Sequence, residues 1–198
     1  MKRLVLASAS PTRARMLEAA GLLFDTVPAD LDEDTIRQKL EKEENAPSAI
    51  ALALAEAKAA KVSQTDSAAL AIGADQLLVL DGEIVAKASD LAVAEAILRR
   101  LRGRGHQLIS AAALVSAGKV LWRGVDQATL EMRPFSDAFL ADYMAEEGEA
   151  LLGTVGCYRL EGPGAQLFAR VAGDHFTILG LPLLPLLSAL RAEGILRI

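Results

Sequence analysis

The sequence predicts an α/β or α+β protein with helices flanking a curved central sheet, organised as two lobes with a cleft between them. Apolar runs rich in β-favouring residues alternate along the chain with segments of helical periodicity. Serine, proline and glycine mark the junctions, where helix caps and turns need them. The chain has 198 residues, 52% of them hydrophobic, so it can bury a sizeable core. We expect residues 1–198 to form one domain whose lobes share the sheet.

The first three elements follow from short local signals. Residues 3–7 are an apolar run that predicts a strand. Ser10 can cap a helix that has Pro11 at its first position and ends at Gly21. Residues 24–27 predict a second strand, so the chain opens with a strand–helix–strand unit.

A polar segment and a long helix come next. Residues 25–44 contain eight acidic and three basic residues, which is typical of an exposed helix or a solvated linker. Pro47 opens an alanine-rich helix through residue 61, with Ile50 and Leu54 at helical spacing.

The middle of the chain predicts a hairpin followed by a helix. Residues 70–80 are an apolar strand, and Asp81-Gly82 is a turn leading into a strand at residues 83–86. Ser89 is expected to cap the next helix. The buried stripe of that helix is predicted to be Leu91, Ala94, Leu98 and Leu101, with Gly103 at its end.

The second half repeats this mixture of strands and helices. The predicted elements are antiparallel strands at 107–115 and 119–132, a helix from Ser136 to near Gly148, strands at 155–160 and 166–171 joined by a Gly162-Pro163-Gly164 turn, and a helix from Pro182 to Gly194.

Composition excludes several classes of protein. The net charge of −5 disfavours a nucleic-acid-binding protein, which would present a basic face. Residues 68–80 and 176–190 are apolar but interrupted, and neither supplies the roughly 18 unbroken apolar residues of a membrane helix. Cys157 is a single cysteine and has no intramolecular disulfide partner, as in reducing compartments. We expect a cytoplasmic protein without membrane association.

The strongest local signal is the segment that joins the first strand to the first helix, residues 6–13. Its small residues allow backbone N–H groups to approach a ligand, and the helix start adds partial positive charge. Arg13 adds a full charge in the first turn. The segment therefore predicts an anion or phosphate pocket, with an ordinary Ser-Pro cap and a solvated arginine as the alternative.

Asp75 is the second candidate, because it lies in the middle of an apolar strand. A buried carboxylate needs a cation, a metal or hydrogen-bond donors to offset the cost of its burial. Gly73 removes side-chain bulk nearby, as expected where a ligand approaches a strand. The alternative is a carboxylate on the open face of an edge strand.

Other charged residues carry weaker signals. Glu33, Lys58 and Lys87 are, taken alone, typical of solvated surface positions. His106 and His175 are isolated, so no zinc-site spacing is present. The sequence also lacks the GxxxxGK[ST], GxSxG and GxGxxG motifs.

As a set, these segments resemble the Maf/septum-formation family over essentially the whole chain. The matching segments are Leu6-Ala7-Ser8-Ala9-Ser10-Pro11-x-Arg13, Asp32-Glu33, Lys58-Ala59, Gly73-Ala74-Asp75-Gln76, Gly103-Arg104-Gly105-His106, Ser136-Asp137, Gly156 with Tyr158, Glu161-Gly162 and Gly180-Leu181-Pro182. Several short motifs in the right order are far more specific than any one of them.

The resemblance implies a nucleoside triphosphate pyrophosphatase that releases a nucleoside monophosphate and pyrophosphate. It also implies a Maf/ITPase-like α/β fold with a deep cleft, a divalent cation (Mg²⁺ or Mn²⁺) and a cytoplasmic homodimer. By position, Asp75 is similar to the residue that activates water and binds the metal, with Glu33 as its acidic partner. The positions similar to the triphosphate contacts are Ser8, Arg13, Lys58 and Lys87.

Three further positions, Thr12, Gln76 and Glu161, correspond to those that sort the base within the family. Gln76 with Glu161 resembles the subgroup acting on 7-methyl-GTP. Thr12 departs from it, because that subgroup usually has tryptophan and the dTTP/UTP group arginine. The usual Gly-Lys-Pro is also replaced by alanine on either side of Lys87.

Three functions are therefore compared. The main prediction is an enzyme that removes unusual or modified nucleotides from the pool. A second is a catalytically weak nucleotide-binding protein that regulates cell division through a protein partner. The third, an unrelated α/β hydrolase, lacks an evident nucleophile with a nearby base.

Overall fold

The computed structural model describes residues 2–197, in which strands alternate with helices. The strands are β1 (Arg3–Leu6), β2 (Asp25–Thr26), β3 (Ala69–Leu80), β4 (Glu83–Val85), β5 (Gly105–Ser116), β6 (Lys119–Met132) and β7 (Phe168–Ala172). The α-helices are α1 (Pro11–Ala19), α2 (Glu33–Lys42), α3 (Pro47–Thr65), α4 (Leu91–Leu101), α5 (Asp137–Glu147), α6 (His175–Ile178) and α7 (Leu183–Ala192). Short 3₁₀ helices occupy Gly148–Gly153, Val155–Cys157 and Pro163–Leu167.

The strands form one mixed sheet in the order β2-β1-β3-β5-β6-β7, with β4 paired to β3. β1 is parallel to both β2 and β3, and its last partner on β3 is Ile72, opposite Leu6. β4 pairs antiparallel with β3, and β7 antiparallel with β6. The predicted α/β class, with helices flanking a mixed sheet, is confirmed.

The chain divides into two compact units, the first of which contains the residues up to Gln76, Ile109–Asp126 and the residues from Asp174 onward. Side chains of β3 alternate between its two faces here. The even-numbered ones, such as Ile72, pack in one apolar cluster with α1 and α7. The odd-numbered ones, such as Ala71, pack in another with α3. This alternation decides which helix each functional side chain of β3 meets.

The alanine-rich helix α3 is longer than predicted. It continues past residue 61 to Thr65, because no glycine or proline interrupts it before the C-cap residue Asp66. Among residues 2–197, no helix combines the length and apolar character needed to cross a membrane.

The second unit contains Leu77–Leu108 and Gln127–Gly173. Its buried His106 places ring Nε2 2.7 Å from the hydroxyl of Tyr158. The other ring nitrogen, Nδ1, has no hydrogen-bond partner within the described part of the chain. Burial lowers the pKa of His106 to about 4, so the ring is neutral in the folded protein at neutral pH.

Helix α4 differs from its prediction at its first turn. The N-cap residue is Asp90, whose carboxylate accepts from Val93 N, whereas the expected cap Ser89 donates its hydroxyl to Asp90. A carboxylate also interacts more favourably than a hydroxyl with the helix dipole. Leu91, predicted in the buried stripe, is 40% exposed because it occupies the first helical position.

The predicted strand at residues 155–160 is wrong. Val155–Cys157 form a 3₁₀ turn in which both Gly156 (φ 77°) and Cys157 (φ 60°) adopt left-handed backbone conformations, which a strand does not accommodate. The predicted Gly162-Pro163-Gly164 turn instead opens the 3₁₀ helix Pro163–Leu167, and β7 begins only at Phe168. Proline favours that helical start because its φ is already suitable.

Candidate functional site

The candidate site lies in the first unit, where β1 ends and β3 continues. After Leu6, the chain leaves the sheet and turns into α1, with Ala7 N donating to Ile72 O as the last bond to β3. The next free position on β3, the carbonyl of Ala74, accepts instead from two cationic side chains. They are Arg13 Nη1 at 3.1 Å and Lys58 Nζ at 3.5 Å.

The start of α1 is built by two serines. Ser10 is the N-cap, and its hydroxyl accepts from Arg13 N at 3.3 Å. Pro11 follows at the first helical position. The hydroxyl of Ser8 accepts from Ser10 N and from Arg13 Nη1. The serine-rich segment thus fixes the helix start and the arginine side chain together, as a site for an anion requires.

Arg13 is buried, so the alternative of an ordinary cap with a solvated arginine is wrong. Its Nε donates to Gly180 O at 2.8 Å, and Nη1 donates to Ser8 and Ala74. Nη2 donates to no group among residues 2–197, so two of its N–H bonds remain for a ligand. Burial lowers the pKa of Arg13, while the negative charges of nearby Asp75 and Glu33 raise it. An arginine stays protonated even so.

Lys58 on α3 is also buried, and the expectation of a surface lysine is wrong for this residue. Its Nζ lies 2.7 Å from Asp75 Oδ1 and 2.8 Å from Glu33 Oε2. The ammonium group donates to Asp75 Oδ1 and to Ala74 O, and its contact with Glu33 is an ion pair. Asp75 is equally buried, whereas the side chain of Glu33 is 46% exposed. The buried carboxylate therefore has the cation that its burial requires.

Gly73 explains why Lys58 and Asp75 meet. A Cβ at this position would lie 1.9 Å from Ala55 O and 2.9 Å from Ala59 Cβ, both in α3. Only glycine lets the helix approach β3 so closely, and Asp75 lies on the same face two residues later. The space left by the missing side chain of Gly73 is thus filled by helix α3. The expectation that a ligand approaches this glycine is wrong.

Gln76 points to the opposite face of β3, toward α6. Its Nε2 lies 3.1 Å from Ser110 Oγ, 3.1 Å from Thr177 O and 3.0 Å from Ile178 O. The Ser110 hydroxyl donates to Thr177 O at 2.7 Å. A Cβ on Gly180 would lie 3.3 Å from Gln76 Oε1, which places this carbonyl oxygen beside Gly180.

The structure brings most of the predicted residues together in the first unit. The residues joined by the contacts above are Ser8, Arg13, Glu33, Lys58, Asp75 and Gln76. Thr12 is half-buried, and its hydroxyl accepts from Arg15 Nη2 at 3.2 Å. Lys87 and Glu161 are exposed residues of the second unit, and their ligand contacts stay predictions.

The sequence reasoning missed the contributions of Ala74, Ser110, Thr177 and Gly180. Ser110 could have been identified from the sequence, because a hydroxyl within the apolar strand β5 needs a hydrogen-bond partner, as the carboxylate of Asp75 does. Ala74 and Gly180 contribute backbone carbonyls, which leave no signature in side-chain type.

The residues of the site fit a hard divalent cation. Glu33 and Asp75 direct carboxylate oxygens at one point, which Lys58 Nζ occupies. Mg²⁺ is commonly held by one or two carboxylates together with substrate phosphates and water. Within residues 2–197, no group of three or more histidine, cysteine, aspartate or glutamate side chains could hold a metal ion. The two carboxylates therefore suit a cation that is shared with a phosphate ligand.

A sequence model of the family described as Maf-like protein matches residues 3–193. Among curated proteins, the chain is 48% identical over 196 residues to the nucleoside triphosphate pyrophosphatase of Granulibacter bethesdensis, covering 99% of this chain and 100% of that protein. It is 49% identical over 191 residues to the 7-methyl-GTP pyrophosphatase of Rhizobium meliloti, covering 96% of each. Proteins with two different names for their activity are thus equally similar to it.

Proposed function

The chain belongs to the family described as Maf-like protein, as its motifs predicted, and from this premise we propose that it is a nucleoside triphosphate pyrophosphatase. Water and a nucleoside triphosphate would give the monophosphate and pyrophosphate. Relatives that match nearly the whole chain carry this name or that of 7-methyl-GTP pyrophosphatase. The observation that carries the proposal is the buried Lys58–Asp75 pair beside the unpaired Nη2 of Arg13.

The triphosphate would bind to the start of α1 and to the neighbouring cations. Arg13 Nη2 offers two N–H bonds held in a fixed plane by the contacts of Nε and Nη1. The α1 N-terminus adds the partial positive charge of its backbone N–H groups. Because these donors are held before the ligand arrives, little reorganisation is needed on binding. Lys58 would supply further charge, and Lys87 is proposed as a triphosphate contact from its position in the sequence alone.

Asp75 would accept the proton of the attacking water. Its Oδ1 is held by Lys58, whereas Oδ2 receives no hydrogen bond from any residue in 2–197 and can accept from water. The water oxygen would attack the α-phosphorus, its proton would pass to Oδ2, and the α–β bridging bond would break with its electron pair on the pyrophosphate oxygen. Lys58 fixes the orientation of the carboxylate during this step.

Glu33 and Asp75 are the residues that would hold Mg²⁺ or Mn²⁺ together with the substrate phosphates. When bound, the cation would offset the negative charge of the leaving pyrophosphate. Glu33 is the more exposed of the two carboxylates. Breaking its ion pair with Lys58 to bind the cation would therefore cost less free energy than breaking that of Asp75.

The substitution Asp75→Asn tests the proposed function. The side chain keeps its shape and can still accept from Lys58, but it no longer takes up a proton. We expect the rate of pyrophosphate release to fall by at least about 10²-fold, since general-base catalysis contributes 10² to 10⁴. Asp34→Asn is the matched control, because Asp34 is exposed and its carboxylate forms an ion pair with Arg37 on the same helix. Wild-type turnover in the Asp75→Asn protein, with an unchanged far-UV spectrum, would refute the assignment.

The preferred substrate is proposed to be a modified nucleotide, and the role the cleaning of the nucleotide pool. Gln76 and Glu161 support 7-methyl-GTP, the substrate that appears in the names of several similar relatives. A panel of common and methylated triphosphates with Mg²⁺ and Mn²⁺ tests this, and thermal shifts without turnover would instead favour a nucleotide-binding regulator. A homodimer in the cytoplasm is proposed as well, and light scattering of the purified protein measures the oligomeric state.

A further inference from the structure

The amide of Gln76 has only one orientation that satisfies its surroundings. Three oxygen atoms surround its Nε2 within 3.1 Å, and two of them are the backbone carbonyls of Thr177 and Ile178. Carbonyls only accept hydrogen bonds, so the atom that faces them must be the NH₂ group. A flipped amide would place its oxygen against these acceptors. The usual ambiguity between the two ends of an amide is therefore removed.

The network behind this amide is itself rigid. Ser110 and Thr177 are fully buried, and the Ser110 hydroxyl donates to Thr177 O, which leaves its lone pairs to accept from Gln76. The Thr177 hydroxyl donates to Asp126 Oδ2 at 2.7 Å. Asp174 caps α6 by accepting from Thr177 N. Neither Ser110 nor Thr177 can turn away without leaving a buried polar group unpaired.

The other end of the amide faces the candidate site. Gln76 as a whole is half-buried, and its NH₂ end is the enclosed one. The carbonyl oxygen Oε1 and Arg13 Nη2 both lie within 4 Å of the point where a Cβ on Gly180 would sit. Gly180 has a φ of 101°, which disfavours any side chain there. The space beside Oε1 and the unpaired Nη2 is thus kept clear.

We propose that Ser110 and Thr177 are positioning residues that make Gln76 a pure acceptor, so that the site selects ligands with an N–H or O–H donor at this point. This inference rests on the proposed function, because it deepens how the triphosphate is recognised. The donor could belong to the base or to the ribose. A ligand without it would leave Oε1 desolvated and unpaired, which costs about 10- to 100-fold in binding.

Triphosphate analogues separate the two sources of the donor. In the wild-type protein, kcat/KM is compared for GTP, its N1-methyl and inosine analogues, and its 2′-deoxy and 3′-deoxy forms. We expect one analogue to lose about 10- to 100-fold. The Ser110→Ala protein should lose part of this discrimination through KM, because Gln76 is held less firmly. Ser116→Ala is the control, since Ser116 lies on the same strand and its hydroxyl also donates to a backbone carbonyl.

The substitution Gln76→Glu tests the proposal through the pH dependence of activity, which would not change if Gln76 were only a structural residue. A carboxylate would face Ser110 Oγ and two carbonyls, whereas its protonated form could donate to a carbonyl and present its other oxygen to the ligand. The charged groups near this position are Arg13, and Asp126 and Asp174 behind Thr177. We therefore expect the activity of this variant, relative to wild type at each pH, to rise as the pH falls.

The outcomes separate this inference from the proposed function. If wild-type protein hydrolyses no triphosphate, the proposed function fails. If wild-type protein is active but every donor-deficient analogue is turned over as well as GTP, the inference is overturned. A Ser110→Ala protein with the wild-type pattern of discrimination, or a flat relative pH profile for Gln76→Glu, would overturn it as well. Discrimination that weakens in Ser110→Ala but not in Ser116→Ala supports it.

Discussion

Replacing Gly73 with alanine tests how the buried ion pair of the site is built. The added Cβ would lie 1.9 Å from Ala55 O and 2.7 Å from Ala59 N, which are main-chain atoms of α3. Ordinary contact at such a Cβ begins at 3.4 Å. The helix and the strand would therefore have to separate locally by about 1.5 Å, because main-chain atoms have no rotamer into which they can move.

The size of the effect follows from this displacement. Overpacking of a core costs about 1–3 kcal/mol, and we expect the free energy of unfolding to fall by about 3 kcal/mol because the clash is with a helix backbone. A shift of this size also takes Lys58 Nζ out of hydrogen-bond distance of Asp75 Oδ1, now 2.7 Å away. A misplacement of about 1 Å costs about 10²-fold in rate, so turnover should fall by at least that factor.

Two measurements check the prediction, namely urea unfolding and the rate of pyrophosphate release at a temperature where the variant is folded. The control is Gly105→Ala, also in a strand, where a Cβ would meet Leu130 O at an ordinary 3.9 Å. We expect the control to differ from wild type by less than about 1 kcal/mol. A Gly73→Ala protein with wild-type stability and turnover would refute the reasoning that close approach of α3 places Lys58.

Three further substitutions test the charges described above. Arg13→Lys should lower kcat/KM by about 10- to 100-fold, because one ammonium group cannot replace the planar fork, and an unchanged kcat/KM would contradict this. Glu33→Gln should raise the Mg²⁺ concentration for half-maximal rate at least about 10-fold, which a metal titration measures. His106 has a pKa of about 4 when folded against 6.5 for the free side chain, so the unfolded chain binds the extra proton between these values. The free energy of unfolding should have its full value above pH 6.5 and fall by about 3 kcal/mol toward pH 4. Unfolding curves of His106→Gln measured at each pH should lack this contribution to the pH dependence.

The sequence was sufficient to predict that Asp75 needs a partner but not which partner it has. A carboxylate within an apolar strand implies a nearby cation, and the structure supplies one in Lys58. Lys58 itself had no distinguishing local feature, because alanine-rich helices carry solvated lysines as readily as buried ones. Its burial is a tertiary effect that depends on the contact of α3 with Gly73.

Local signals predicted the strands and helices well where one physical cause dominates. The turn at Asp81-Gly82 and the cap at Ser10 are confirmed, because each depends on its own few residues. Ser89 and Asp90 are adjacent cap residues, and propensity alone did not decide between them. At residues 155–160 the apolar composition suggested a strand, whereas the positive φ values of Gly156 and Cys157 made a turn.

The carbonyl of Ala74 receives both cations of the site, and it belongs to the main chain. No amino-acid substitution removes a main-chain carbonyl, so a screen of side-chain variants does not test this shared acceptor. The contribution of this carbonyl to holding Arg13 and Lys58 can be measured by chemical synthesis, in which an ester linkage between Ala74 and the next residue makes the oxygen a poorer acceptor. The single oxygen atom that accepts from both cationic side chains is therefore also one that conventional mutagenesis leaves unchanged.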